Sequence, residues 1–293
     1  MAEKSFLNYL RDERNYSDRT IVNYGLDLSQ FHEFAQGEMS SFDWLLVDSQ
    51  IVRSWMVVLL DKGYTATSVN RKLSSLRSFY KYLLKKGILN VDPLRKVVAP
   101  KKKKTLPSFL VTGEMDKLLD EVDFGEGFKA SRDHLIIEMF YMTGIRLSEL
   151  IGLSDADVDL THCVLKVTGK RNKQRLIPFG DGLKNMISIY CGLRDQEVSE
   201  KATAFFVRPD GRPLYSSLVY NIVKRNLSKV ATLKKKSPHV LRHTFATSML
   251  NNEAELNAVK ELLGHTTLSA TEIYTHTTFE ELKKVYKQAH PRS

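Results

Sequence analysis

The chain has 293 residues, enough for one large or two ordinary domains, and its 42% hydrophobic and 27% charged residues suit a globular protein that buries real cores. Its 44 Lys plus Arg against 34 Asp plus Glu leave a net +10 and a pI near 9.4, which points to nucleic acid or a membrane surface, with an unremarkable basic enzyme as the plain alternative. The two cysteines, Cys163 and Cys191, lack metal-ligand spacing and are too few for a disulfide framework, so a reducing cytoplasm is expected; the N-terminal stretch has no apolar signal region, and the longest apolar run, "WMVVLL", is too short to span a bilayer.

The first third reads as wholly helical. A short opening segment is followed by "YSDRTIVNYGLDLSQFHEFAQ", where Ile21, Tyr24, Leu28, Phe31 and Phe34 recur at spacings of three and four after a Ser or Asp cap. "DSQIVRSWMVVLLDKG" and "TATSVNRKLSSLRSFYKYLLKKG" each start at a polar cap and end at Gly, completing a four-helix module. In the last helix Val69, Leu73, Leu76, Tyr80 and Leu83 form the stripe to be buried, while Arg71, Lys72, Arg77, Lys81 and Lys85 are expected on other faces. No acid occurs from 65 to 86, whereas a merely solvated face normally mixes signs, so this helix is expected to face nucleic acid.

"KVVAPKKKKTLPSF" follows, with prolines around Lys101, Lys102, Lys103 and Lys104 and no hydrophobic period; it reads as an extended solvated connector that could also lie along a phosphate backbone. Residues 1–104 hold 18 basic and 11 acidic side chains, whereas 105–293 hold 26 and 23, so the smaller part carries most of the positive surplus. The remainder is mixed. "SRDHLIIEMFYMTG" is a buried helix stopped by Gly144, "RLSELIGL" restarts a short one, and "CVLKVTGKRNKQRLIPFG" alternates into a hairpin. Helices are expected near 181–194, 214–231, 239–252, 255–263, 268–275 and 278–289.

"SPHVLRHTFA" breaks the usual helix pattern. Ser237 is placed to cap, Pro238 occupies the first helical position, and Leu241, Phe245 and Met249 continue the apolar register, yet the first turn carries His239, Arg242 and His243. Cations at the positive end of a helix dipole are unfavourable unless an anion joins them, and a phosphate bound at the helix end supplies one. Other polar residues that helix and hairpin rules do not require are Arg146 after the Thr143-Gly144 turn, Lys170 at the hairpin tip, His265 after Gly264, and Tyr274 in "IYTH". Each alone has a bland reading as surface, cap or packing; no carboxylate pair, metal triad or Gly-rich phosphate loop accompanies them.

Together, "TGIRLSEL", "GKRNK", "PHVLRHTFAT", "LLGH" and "IYTH" resemble the tyrosine recombinase (phage integrase) family, and the helical module, "LPSFLVTGEMDKLL" and the ending "AHPRS" look like its Xer chromosome-resolution branch. The resemblance implies a catalytic set of Arg146, Lys170, His239, Arg242, His265 and Tyr274, with no metal or cofactor. Arg171 stands where the family turn usually has a second Gly, which leaves open whether Lys170, Arg171 or Lys173 reaches the leaving group, Lys170 being the match by position. A covalent phosphotyrosine conserves phosphodiester energy without a high-energy cofactor: Tyr274 would attack, leaving a 3′-phosphotyrosyl link and a free 5′-hydroxyl. His239 is the implied base, Lys170 the implied acid, His265 a hydrogen-bond donor to the phosphate, and the planar guanidiniums of Arg146 and Arg242 suit charge building on the non-bridging oxygens. His243 is assigned to packing or support.

The expected fold is mainly α: an N-terminal helical DNA-binding module (1–98), a linker (99–110) and an α+β catalytic domain with a small antiparallel sheet (111–293), closing on a duplex as a C-shaped clamp. Arg71 and Arg77 are candidate base readers, with Lys72, Lys81 and the four linker lysines as phosphate contacts. The last helix presents Phe279, Leu282, Val285, Tyr286 and Ala289 on one face, to dock either on its own domain or, as the family implies, on a neighbour in a homo- or hetero-tetramer on two DNA sites. A second recombinase or a DNA translocase as activator, and a nucleoid-associated cytoplasmic location, follow from the same resemblance. The competing readings are a mobile-element integrase, a non-cutting DNA-binding protein on this fold, and a type IB topoisomerase.

Overall fold

The computed structural model describes residues 2–102, 109–169, 172–200, 202–231, 233, 235–264 and 276–292, without the side chains of Thr112 and residues 276–278. Two compact units divide the chain, Met1–Thr105 and Leu106–Ser293.

The first unit is the expected helical module. Helix α1 (Ala2–Asn8) runs into a π-helical turn at Tyr9–Glu13, followed by α2 (Asp18–Glu38), α3 (Ser49–Asp61) and α4 (Ala66–Lys85). Asp48 caps α3 by accepting from the Gln50 and Ile51 amides, and Thr65 caps α4 by accepting from Ser68. The core is aromatic: Phe6, Phe31, Trp55, Phe79 and Tyr80 are buried, and Trp44 packs edge-on to Phe79 with ring centres 4.7 Å apart. The stripe Val69, Leu73, Leu76, Tyr80 and Leu83 is buried throughout.

The basic face of α4 differs from the sequence expectation at Lys72, which is only 4% exposed. Its ammonium donates to Asp27 Oδ1 at 3.1 Å and to Gln30, while Arg71 forks onto both oxygens of the same buried carboxylate at 2.5 and 2.8 Å and Ser75 adds a bond of 2.7 Å. Lys72 is thus a structural counter-ion joining α2 to α4, because a buried Asp27 needs a cation beside it. Arg77, Lys81, Lys101 and Lys102 are exposed as expected, and Arg71 is half exposed; Lys103 and Lys104 lie outside the described residues. The start of the connector is also less free than its composition implies, since Arg53, Arg77 and Asn70 donate to the carbonyls of Lys96, Val97 and Pro100. Asp27→Ala is expected to cost ~3 kcal/mol, because it leaves the buried Lys72 ammonium without its carboxylate. Both tryptophans of the chain, Trp44 and Trp55, lie in this unit, so urea unfolding followed by tryptophan fluorescence reads it directly. An unchanged midpoint would refute the counter-ion role.

The second unit opens with α5 (Thr112–Asp116), a short helix just past the linker that the sequence pattern does not announce, and a π-helical turn at Lys117–Glu121. Then come α6 (Gly127–Thr143), α7 (Leu147–Ile151), strands β1 (Val158–Asp159), β2 (Val164–Thr168) and β3 (Gln174–Pro178), and helices α8 (Asp181–Glu197), α9 (Ser216–Val230), α10 (Pro238–Asn251), α11 (Leu256–Leu263) and α12 (His276–Ala289). The hairpin β2–β3 is antiparallel, with Val167 opposite Arg175, and the two-residue β1 adds a third strand in the order β1-β2-β3. Its turn is closed by Gly169 N–H donating to Lys173 O at 2.7 Å, with Asn172 left-handed at φ +58°.

Helix α6 is buried on nearly every side and forms the centre of the main core. A smaller core joins α10, α11 and α12 through Phe245, Met249, Leu262, Leu263, Leu282 and Tyr286. Helix α12 therefore docks on its own domain in the single chain. Its end is pinned there: Asn252 donates to Ala289 O, the His290 ring stacks on Tyr286 and Phe245, and Arg292 pairs with Asp120. No described helix is long and apolar enough to cross a membrane.

Candidate active site

The end of α6 sets the site. Gly144 stops the helix in the left-handed region at φ +58°, and a Cβ there would lie 2.5 Å from the Phe245 ring and 2.8 Å from Leu263, so α6, α10 and α11 meet where only glycine fits. Two residues on, Arg146 occupies the N-cap of α7 with extended backbone, and Glu149 in the first turn reaches back to it. Glu149 accepts from the Arg146 amide at 2.8 Å (Oε2) and from Arg146 Nη1 at 2.7 Å (Oε1).

Three arginines then meet three consecutive carbonyls at the C-terminus of α11. Arg175 Nε donates to Leu262 O at 2.8 Å, Arg242 Nη2 to Leu263 O at 2.6 Å, and Arg146 Nη2 to Gly264 O at 2.9 Å. Guanidinium groups are favoured there, because the last carbonyls of a helix lack intrahelical partners and carry its negative dipole end. Arg242 also donates through Nη1 to Gly144 O, tying α10 to the end of α6. Arg175 forks onto Glu149 at 2.8 and 2.9 Å, so the carboxylate receives four hydrogen bonds from two arginines.

The charges perturb one another. Burial pushes the Glu149 carboxyl up, but hydrogen bonding and charge from Arg175, followed by Arg146, outweigh it and hold the group at about 2. Burial also pushes Arg242 down to about 10, helped by the positive charges of Arg146 and Arg175, yet it stays a cation at neutral pH. Three guanidiniums and one carboxylate leave the cluster with two net positive charges, the electrostatics of an anion site.

Of the six residues proposed from sequence, the structure places three. Arg146 and Arg242 are joined through the end of α11, and His239 is exposed in the first turn of α10, one turn before Arg242. Arg242 lies deeper than its helical spacing implied, 8% exposed, because its guanidinium turns inward to the two carbonyls. Lys170, His265 and Tyr274 lie outside the described residues. Their sequence neighbours bound the site: a Cβ on Gly169 would lie 3.3 Å from Glu149 Oε1 and 3.9 Å from Arg146 Nη1, and Gly264 accepts Arg146. Ser237 takes the extended N-cap conformation of α10 without a side-chain capping bond, and Pro238 begins the helix as expected. His243 is half-buried beside Phe109, and Thr244 in the same motif accepts from Leu110 N–H at 3.0 Å.

Sequence reasoning missed Glu149 and Arg175. Glu149 reads as an ordinary first-turn acid whose one clue is its place three residues after Arg146. Arg175 shares the inward phase of β3 with Ile177, and a cation in that phase was the available signal.

Comparison with known proteins shows the family to which the chain belongs. The sequence pattern of the Phage integrase family matches residues 108–281, and that of the Phage integrase, N-terminal SAM-like domain matches residues 4–87. The chain is 40% identical to tyrosine recombinase XerC of Chlorobaculum tepidum, over 98% of this chain and 94% of the relative. It is 39% identical to tyrosine recombinase XerC of Listeria innocua, over 99% and 98%. Among solved structures, the XerH recombinase bound to difH in a post-cleavage complex aligns with TM-score 0.71 and 22% identity, over 96% of this chain and 83% of that one. The Tn1549 transposon integrase bound to circular intermediate DNA aligns with TM-score 0.72 and 18% identity, over 96% and 98%. With both parts of the chain matched and XerC relatives aligned along almost its whole length, the chain belongs to the phage integrase family, as a site-specific tyrosine recombinase of the Xer type.

Proposed function

We propose that this recombinase cuts and rejoins duplex DNA at a recombination site through Tyr274, and that it resolves chromosome or plasmid dimers. The observation that carries the chemistry is the pair Arg146 and Arg242, both fixed to the end of α11 immediately before His265 in the chain. A phosphodiester carries one negative charge, and attack by a phenoxide makes the pentacoordinate transition state dianionic. Preorganised guanidiniums favour that state over the ground state, which is the condition for catalysis.

In this reading Tyr274 attacks phosphorus and the bond to the 5′-oxygen breaks, leaving a 3′-phosphotyrosine. His239 takes the phenolic proton, whose ordinary pKa of about 10 makes help necessary at neutral pH. Lys170, following Gly169 in the chain, returns a proton to the departing 5′-oxygen, and His265 donates to a non-bridging oxygen. A 5′-hydroxyl from the partner strand reverses the step. Residues 1–98 grip DNA with the exposed cations of α4, Arg71, Arg77 and Lys81; Lys101 to Lys104 extend the contact along the linker (99–110), and residues 111–293 cut. Lys72 is withdrawn from that surface by its burial. The active assembly is a tetramer of this chain alone or with a second recombinase, in which α12 leaves its own domain for a neighbour, under a DNA translocase activator on the nucleoid.

The test is a nicked suicide duplex carrying a recombination site, from which a small fragment is lost after cleavage. The wild-type chain is expected to form a denaturant-resistant protein–DNA adduct and Tyr274→Phe none. An adduct that persists in Tyr274→Phe removes Tyr274 from the role of nucleophile.

A further inference from the structure

We propose that Arg175 is a positioning residue for strand cleavage, holding Glu149 and the end of α11 so that Arg146 is aimed and the chain running on to His265 and Tyr274 starts from a fixed point. The inference rests on the recombinase reading above and adds to it a side chain that does not touch DNA.

Arg175 is 5% exposed on the inner face of the hairpin. Its fork takes both Glu149 oxygens and its Nε takes the Leu262 carbonyl, so one rigid plane links β3, α7 and α11. A carboxylate has about four acceptor positions, and Arg175 fills two of those on Glu149. The other two go to the amide and Nη1 of Arg146. Without the Arg175 fork, Glu149 has lone pairs to spare and is released to draw the Arg146 guanidinium further onto itself, in competition with a phosphate. The fit is close on the other side too, for a Cβ on Gly264 would lie 3.1 Å from both Cδ and Nη1 of Arg175. Lysine keeps the charge, but a single ammonium cannot fork onto Glu149 and also reach Leu262.

Charge adds a second effect in the same direction. Arg175 raises the cluster from one net positive charge to two, and the second is matched only when the transition state gains its second negative charge. Loss of Arg175 therefore acts on the rate of cleavage more than on affinity for DNA.

The test uses the full-length chain and compares Arg175→Lys and Arg175→Met with wild type on the nicked suicide duplex. Single-turnover adduct formation and Kd for the intact duplex are measured side by side. Kd is expected to stay within roughly threefold, while the adduct rate falls about tenfold or more for the Lys variant and further for the Met variant. A Lys variant that cleaves at the wild-type rate overturns the proposal, as does a loss of affinity equal to the loss of rate. Should the Met variant fail to fold by circular dichroism, the Lys variant decides. Wild type and Tyr274→Phe in the same assay separate the two readings: if wild type forms no adduct, the recombinase mechanism itself fails, whereas a normal control pair with a fully active Lys variant removes Arg175 alone.

Discussion

Arg242→Gln is expected to slow covalent adduct formation by about 10²–10³-fold while the domain stays folded. The loss in rate follows from geometry, since two carbonyls, Gly144 O and Leu263 O, hold the Arg242 guanidinium where two other cations already concentrate positive potential. A neutral amide removes the charge the transition state needs. The effect on stability is much smaller because two contributions oppose. Leaving the carbonyls short of donors costs about 1–3 kcal/mol, and this is offset by relief of the repulsion from Arg146 and Arg175 that, with burial, depresses the Arg242 pKa. Adduct rate and thermal midpoint measured on the same preparation check both halves. Cleavage within a few-fold of wild type would show that Arg242 serves the fold and not the phosphate.

That balance of charges explains how much of the site is legible in the sequence. The stripe Leu241, Phe245 and Met249, the stop at Gly144 and the isolated cations beside them were legible, because each follows from local periodicity or from the conformation a glycine alone adopts. The pairing of charges was not. Asp27 meets Lys72 across 45 positions, and Arg175 meets Glu149 across 26. Local spacing cannot tell a cation that faces DNA from one that neutralises a buried acid on another element. Lys72 and Arg175 show this in both directions: the first has the sequence setting of a DNA contact and is internal, and the second reads as an ordinary hairpin residue and is part of the site's framework. The common clue is phase: on its helix Asp27 stands four residues before Phe31, Lys72 stands three after Val69 and four before Leu76, and on its strand Arg175 stands two before Ile177, all of them buried. A charged side chain in a buried register predicts an opposite charge elsewhere in the fold, even when the sequence does not say where.

Glu149 is where that rule has its largest expected consequence. Glu149→Gln leaves three arginines around the end of α11 with no anion among them, and is expected to destabilise the second unit by about 3–5 kcal/mol and to abolish cleavage. The dependence on pH identifies the cause. Its folded pKa of about 2 lies below the ordinary value of 4.5, because Arg175 and Arg146 together outweigh the upward push of burial. A group with a depressed folded pKa contributes stability that is fully present above its unfolded pKa and is lost as pH falls through the folded value. From neutral pH down to about 5 the difference between wild type and Glu149→Gln therefore stays constant, and between about 4.5 and about 2 it closes, since protonation makes the wild-type carboxyl as neutral as the amide. Far-UV circular dichroism melts of both proteins across this range measure the gap directly. A gap that stays constant down to pH 2 would assign the loss to packing rather than charge, and a gap below about 1 kcal/mol at neutral pH would mean that the arginines hold the end of α11 without their carboxylate.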